Sequence, residues 1–253
     1  MAKLKDITHF LDETFAGLVS QDFSNNGLQV DSGVEDITKV EVAVDASLWA
    51  CDRAGYRDAQ LLFVHHGLSW GGGIKYINGF IGQRVAMLIQ GGVSLYASHL
   101  PLDAHPVYGN NAVLARMIDL QDVKPFYDYH GSNIGFYGRL PKTMEPDELS
   151  EVVDGKLETK SRLFSENYRE MTTVGVVSGD GGDAIYECGK LGIDCLLTGE
   201  FRHQYYHDAM EMDISVIAAG HYVTETTGVK EIALLLEKTF GLDAGFMDHP
   251  TEL

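Results

Sequence analysis

Cysteine is scarce in this 253-residue chain: Cys51, Cys188 and Cys195 are the whole complement, and no CxxC pair occurs. An odd count without close pairing excludes a disulfide framework and a zinc ribbon, and fits a reducing cytosol. Basic residues are also few, with 19 Lys+Arg against 37 Asp+Glu, for a formal charge of −18. So acidic a chain repels phosphate backbones and anionic lipid, which argues against nucleic acid and membrane surfaces as partners and favours metal cations. No apolar run approaches the ~18–20 residues of a membrane helix. The opening MAKLKDITHFLDETF lacks a continuous apolar stretch and a small-residue cleavage site, so no secretory signal is expected and the expected location is cytoplasmic. Walker, Rossmann, HExxH and GxSxG patterns are missing, as are internal repeats and low-complexity segments.

What remains is ordinary globular composition, 45% hydrophobic and 22% charged, over a length that suits one or two domains. Apolar residues at helical spacing over 4–19 predict an opening amphipathic helix, and the Asn/Asp/Ser/Gly-rich stretch 20–33 predicts a loop. Strands are expected at 39–45, 61–66 and 93–99, alternating with helices after 45, at 79–92 and at 110–120. An aromatic, glycine-rich hairpin is expected at 124–141 and an acidic helix at 146–158. Strand–helix alternation then resumes from 171 to the end. This pattern predicts an α/β fold with mostly parallel or mixed sheets and flanking helices. Two interlocked units are expected, 1–125 with 215–253 and 126–214.

Four predicted strands run into polar clusters. LLFV leads to His65 and His66, and SLYAS to His99, Asp103 and His105. DCLLT leads to Glu200, His203 and His207, and SVIAAG to His221 and Glu225. Ligands of open α/β sheets sit at the carboxyl ends of strands. Imidazole with carboxylate is the donor set for Zn, Fe, Mn, Ni or Co. His221 and Glu225, four apart on a helix starting near Tyr222, share one face. Adjacent His65 and His66 reach one site only if the strand breaks, which Gly67 permits, and they suit two ions ~3.5–4 Å apart. Asp103 or Glu225 is available to bridge them. His99, His105, His203 and His207 either orient ligands and carry protons, or cap helices and face solvent. His9, His130 and His249 are expected as hydrogen-bonded core residues. Asp45 is read as a helix N-cap or a site-edge acid, and SGDGGDA (178–184) as a tight turn with helix caps.

The segments NNGLQV (25–30), VAVDAS (42–47), FVHHGLSWGG (63–72), SHLPLDAHPVYGNN (98–111), LLTGE (196–200) and AAGHYVTE (218–225) make the chain resemble the NIF3-like proteins, many of them named GTP cyclohydrolase 1 type 2 homologs. The resemblance implies a two-metal site whose ligands match His65, His66, Asp103, His221 and Glu225, and a homohexameric ring. The expected function is a dinuclear metal-dependent hydrolase acting on a C–N or P–O bond of a small molecule, with His99 or Glu200 shuttling a proton. The alternative is a non-catalytic metal-binding ring acting as scaffold, metal-trafficking or regulatory protein.

Overall fold

The runs KVEVAVD and LLFVHH form neighbouring parallel strands, Lys39–Asp45 and Leu61–His66, in a five-stranded sheet of a computed structural model that describes residues 1–166 and 169–253. Ser94–Ala97 extends this sheet in parallel on one side and Asp243–Phe246 on the other. Gly27–Val30 closes it as an antiparallel edge strand on Ser94–Ala97. Near-continuous apolar runs are what a sheet covered on both faces requires, and Val42, Leu61, Phe63 and Val64 are wholly buried. Helices Leu48–Tyr56 and Gly79–Gly91 pack Ala50, Cys51, Ala54 and Leu88 against Leu62, Val64 and Leu95. On the opposite face Phe15, from helix Leu4–Phe15, stacks on Phe63 with ring centroids 6.3 Å apart.

The strand Gly27–Val30 corrects the expectation of an uninterrupted loop over 20–33. The apolar alternation of Leu28 and Val30 spans only three residues inside a Gly/Asn/Asp/Ser-rich stretch, too short to mark a strand, and pairing with Ser94–Ala97 makes the segment one.

In the second sheet Met171–Val177, Cys195–Thr198 and Ser215–Ala218 run parallel. The expected hairpin is Gln121–Tyr129 with Ser132–Met144, whose second strand pairs antiparallel with Met171–Val177. His130 and Gly131 at its turn both take positive φ, as a two-residue I′ turn demands. Arg162–Phe164 forms the other edge.

The chain divides into compact units Met1–Leu102 with Gly228–His249, and Asp103–Thr227 with Pro250–Leu253. The second unit begins well before the expected residue 126, because helix Asn110–Met117 buries Leu114 and Ala115 among Leu140, Val174 and Val176. It continues past 215 because Ser215–Ala218 pairs with Cys195–Thr198.

The three cysteines are free and buried. Burial pushes Cys51 up to about 11 and Cys188 up to about 12. Among the described residues no helix is long and apolar enough to cross a membrane.

Asp194 ties the start of Met171–Val177 to the next strand. Burial alone would raise its carboxyl, but bonds from the N–H and hydroxyl groups of Thr172 and Thr173 outweigh that and lower it. A depressed carboxylate stabilises the fold above its unfolded pKa and loses that contribution as pH falls through the folded value. Asp194→Ala is therefore expected to cost about 3 kcal/mol at pH 7, from loss of charge-assisted bonds. The deficit should shrink toward pH 3, and urea titrations at the two pH values measure it.

Candidate metal centre

In the first unit, strand Leu61–His66 ends on the two histidines, whose ring centroids lie 4.6 Å apart. His65 is fully buried, and its Nδ1 lies 3.0 Å from the Ser98 carbonyl oxygen. His66 Nδ1 lies 2.9 Å from Asp45 Oδ1, and His99 Nδ1 lies 2.8 Å from Asp22 Oδ1. A carbonyl or carboxylate oxygen can only accept, so each Nδ1 is the protonated donor and each Nε2 the basic nitrogen. A ligand atom from each of His65, His66 and His99 lies within 4.8 Å of the others. His99 thus lies beside the two adjacent histidines. Burial works to raise the Asp22 carboxyl, but its bond and charge interaction with His99 prevail and lower it.

The polar segment before Gly27–Val30 holds these strand ends in place. Asp22 Oδ2 also accepts from Leu100 N–H, and Asn26 Oδ1 accepts from His99 N–H at 2.7 Å. Gln29 Oε1 accepts from the N–H groups of Leu68 and Ser69, at 2.6 and 3.1 Å. A Cβ on Gly67 would lie 2.4 Å from Gln29 Oε1 and 2.7 Å from Ala97 Cβ, so glycine is required for this approach. Asp45 is the site-edge acid; the N-cap of Leu48–Tyr56 is Ser47, which accepts from Ala50 N–H. Outer partners of ligating histidines typically set 10–100-fold in metal affinity. Asp45→Ala is expected to weaken metal binding by about that factor with the fold retained, as measured by competition with a chromogenic chelator.

In the second unit the helix beginning at His221 places His221 and Glu225 one turn apart, with Nε2 3.1 Å from Oε1. Glu200, after strand Cys195–Thr198, accepts from His221 Nδ1 at 2.6 Å and so orients the ring. Burial disfavours charge on His221, but Glu225 and Glu200 outweigh it and push the imidazole up to about 9. In the metal-free chain an imidazolium therefore supplies positive charge between two carboxylates.

Asp103 is buried and accepts from Asn110 Nδ2 at 2.9 Å and from Ser178 Oγ at 2.8 Å. Ser178 opens the expected turn, whose next residue is Gly179. Gly179 N–H donates to Thr224 Oγ1, and its carbonyl accepts from Glu200 N–H. A Cβ on Gly179 would lie 2.4 Å from Glu225 Oε1. One glycine-rich loop thus touches the Asp103 carboxylate through Ser178 Oγ, the Glu200 backbone and the Glu225 carboxylate, and leaves no room for a Cβ on Gly179.

The remaining histidines stand apart from these donors. His105 Nδ1 accepts from the N–H groups of Val107 and Tyr108, a turn-capping role, and burial lowers its pKa. His203 and His207 are exposed on helix His203–Glu211. His9, His130 and His249 are exposed as well, which corrects the expectation that they lie in the core. His9 pairs with Glu13 on its own helix, His130 sits in the hairpin turn, and His249 stacks on Trp49. The orienting residues Asp22, Asn26, Gln29, Asn110, Ser178 and Thr224 were not singled out in the sequence. Except for Asn110, seven residues from Asp103, their partners at the site are distant along the chain, so spacing gives no signal for them.

Two α/β units with histidine–carboxylate clusters at their strand ends define a candidate divalent-metal protein. The donor chemistry fits such ions: basic Nε2 atoms oriented from behind, buried carboxylates, and a glycine cradle beside them. A family model described as Duf34/NIF3 (NGG1p interacting factor 3) matches residues 2–251. The chain belongs to this family. A Pyrococcus horikoshii protein named GTP cyclohydrolase 1 type 2 homolog is 41% identical over 249 residues, covering 98% of each chain. The crystal structure of a Thermus thermophilus protein superposes with a TM-score of 0.88 at 37% identity, covering 99% of this chain and 100% of that one. The structure of ybgI, a structural-genomics protein of unknown function, gives a TM-score of 0.91 at 30% identity with the same coverage.

Proposed function

We propose that the chain binds two divalent metal ions through His65, His66, Asp103, His221 and Glu225 and hydrolyses a C–N or P–O bond of a small molecule. The observation that carries this reading is the shared orientation of four imidazoles. His65, His66 and His221 each direct Nδ1–H at a carbonyl or carboxylate oxygen, so that Nε2, once free of its proton, is the nitrogen available to a metal, and His99 is oriented in the same way. When bound, such ions supply Lewis acidity and lower the pKa of water.

The chain's own groups do the rest. Ser98 O, Asp45 and Glu200 orient His65, His66 and His221, while Asn110 and Ser178 fix Asp103. His99, held at Nδ1 by Asp22, presents Nε2 to accept and return a proton. Glu200 is already engaged by His221 and serves as the orienting group. The name carried by the Pyrococcus horikoshii relative favours the C–N bond.

Self-assembly, to the ring of six that the family resemblance implies, is part of the proposal. Tyr76, Ile77 and Phe80 are 76%, 68% and 65% exposed in the single chain, and apolar surface of this kind suits a second copy. Light scattering on the purified protein gives the copy number.

Elemental analysis with hydrolysis assays over nucleotides, phosphoesters and cyclic amides tests the main reading. Two ions per chain, with turnover abolished by ligand substitutions, is the expected result. Metal binding without turnover on any of these classes would favour the scaffold or trafficking role.

A further inference from the structure

Beside the imidazoles of the first unit lies an aromatic strip that the donor set does not use. Ser24 and Trp70 form an isolated antiparallel bridge, flanked by bonds from Asn25 N–H to Ser69 O at 3.0 Å and from Gly71 N–H to Phe23 O at 2.6 Å. Trp70 is fixed further by its own Nε1–H, which donates to Gly67 O at 2.9 Å. Its ring centroid lies 5.1 Å from that of His99 and 6.1 Å from that of His66. Phe23 follows at 6.5 Å from Trp70, tilted by 32°. Gly71 takes φ +52, and a Cβ there would stand 2.9 Å from Phe23 Cζ, so the phenyl ring lies against the turn. Yet Phe23 is 73% exposed.

Water around an exposed phenyl is unfavourable, and burying such a ring is the usual outcome. Here backbone bonds and a positive-φ glycine hold it outward, next to an indole whose other neighbours are candidate ligands. Two π faces in sequence, leading from solvent to metal-donor imidazoles, form a stacking shelf for a flat ring. We propose that Trp70 and Phe23 bind a planar nitrogen heteroaromatic ring, such as a nucleobase, and present it to the metal ligand His66 and the proton carrier His99. This names the substrate class of the proposed hydrolase and rests on that reading for the position of the reacting groups. The shelf itself is neutral and the chain carries −18 overall. Recognition at the shelf is therefore of the ring and not of attached phosphates.

The test uses the full-length metal-loaded protein with inosine as the flat-ring probe and ribose 5-phosphate as the probe without a ring. Binding is read by saturation-transfer NMR and by calorimetry. Inosine is expected to bind, with saturation on the base protons. Phe23→Ala and Trp70→Leu are each expected to weaken it by about 5- to 100-fold, the usual range for removing one stacked aromatic. Phe23→Tyr should restore binding, and metal content in Phe23→Ala should stay that of the wild type. Three results overturn the proposal: inosine that does not bind, affinity unchanged in Phe23→Ala, or Phe23→Ala altering the copy number while inosine binding stays the same. The last would mean that a second copy covers Phe23. Inosine binding without hydrolysis of any ring substrate would leave the shelf standing and count against the hydrolase. Hydrolysis of a substrate without a ring, with kinetics unchanged in both shelf variants, would do the reverse.

Discussion

Glu225→Ala is expected to fold as the wild type does and to lose at least one bound metal ion per chain. Alanine is the best helix former, and Glu225 lies in the first turns of a 20-residue helix, so the backbone tolerates the change. The carboxylate is 4% exposed and lies 3.1 Å from His221 Nε2, so its removal takes out a donor that no solvent-borne group replaces. Loss of a direct ligand should exceed the 10–100-fold typical of an orienting partner, so the affinity falls by more than about 100-fold. Elemental analysis after gel filtration measures it, and an unchanged metal content would remove Glu225 from the ligand set. The same variant carries a pH signature in chelator-treated protein. His221 is raised from 6.5 to about 9, with burial opposed by Glu225 and Glu200. A raised pKa contributes stability that is fully present below the unfolded value and is lost as pH rises through the folded one. The metal-free wild type should therefore lose stability between pH 6.5 and pH 9, and Glu225→Ala should flatten that slope in thermal melts.

Gly179→Ala is the second large effect, and it acts with no donor removed. Gly179 has φ +61, and a Cβ there would meet Glu225 Oε1 at 2.4 Å and His221 Nε2 at 3.3 Å. The left-handed backbone alone costs an alanine about 1–2 kcal/mol. Overpacking a tight site adds about 1–3 kcal/mol. The Glu225 carboxylate must move aside, so metal affinity should fall along with stability. A double-mutant cycle separates the two costs. In a Glu225→Ala background the clash with the carboxylate is gone while the backbone term and the looser contact with His221 remain, so Gly179→Ala should cost less there by most of the overpacking share. Equal costs in both backgrounds would show that the methyl group never presses on Glu225.

Much of the fold was legible because its signals are local. The valine and leucine runs at 39–45 and 61–66 could only be buried strands, and the hairpin was marked by aromatic residues around His130-Gly131. Gly27–Val30 was not legible. Its apolar alternation covers only Leu28 to Val30 within a turn-rich stretch, and its backbone bonds come from a strand far along the chain, Ser94–Ala97. The helix Asn110–Met117 was recognised, but its membership of the second unit depends on which sheet it covers.

The sequence by itself determined the donor types, their positions at strand ends, and the one-turn spacing of His221 and Glu225. These follow from hydrophobic periodicity and residue chemistry, which act over a few residues. Only the tertiary structure decided which nitrogen of each histidine can bind a metal. That choice depends on an oxygen behind the ring, and those oxygens belong to Ser98, Asp45, Asp22 and Glu200, at separations of 33, 21, 77 and 21 residues. Sheet register brings such partners together, and register is a property of many strands pairing at once, which no single stretch of sequence contains.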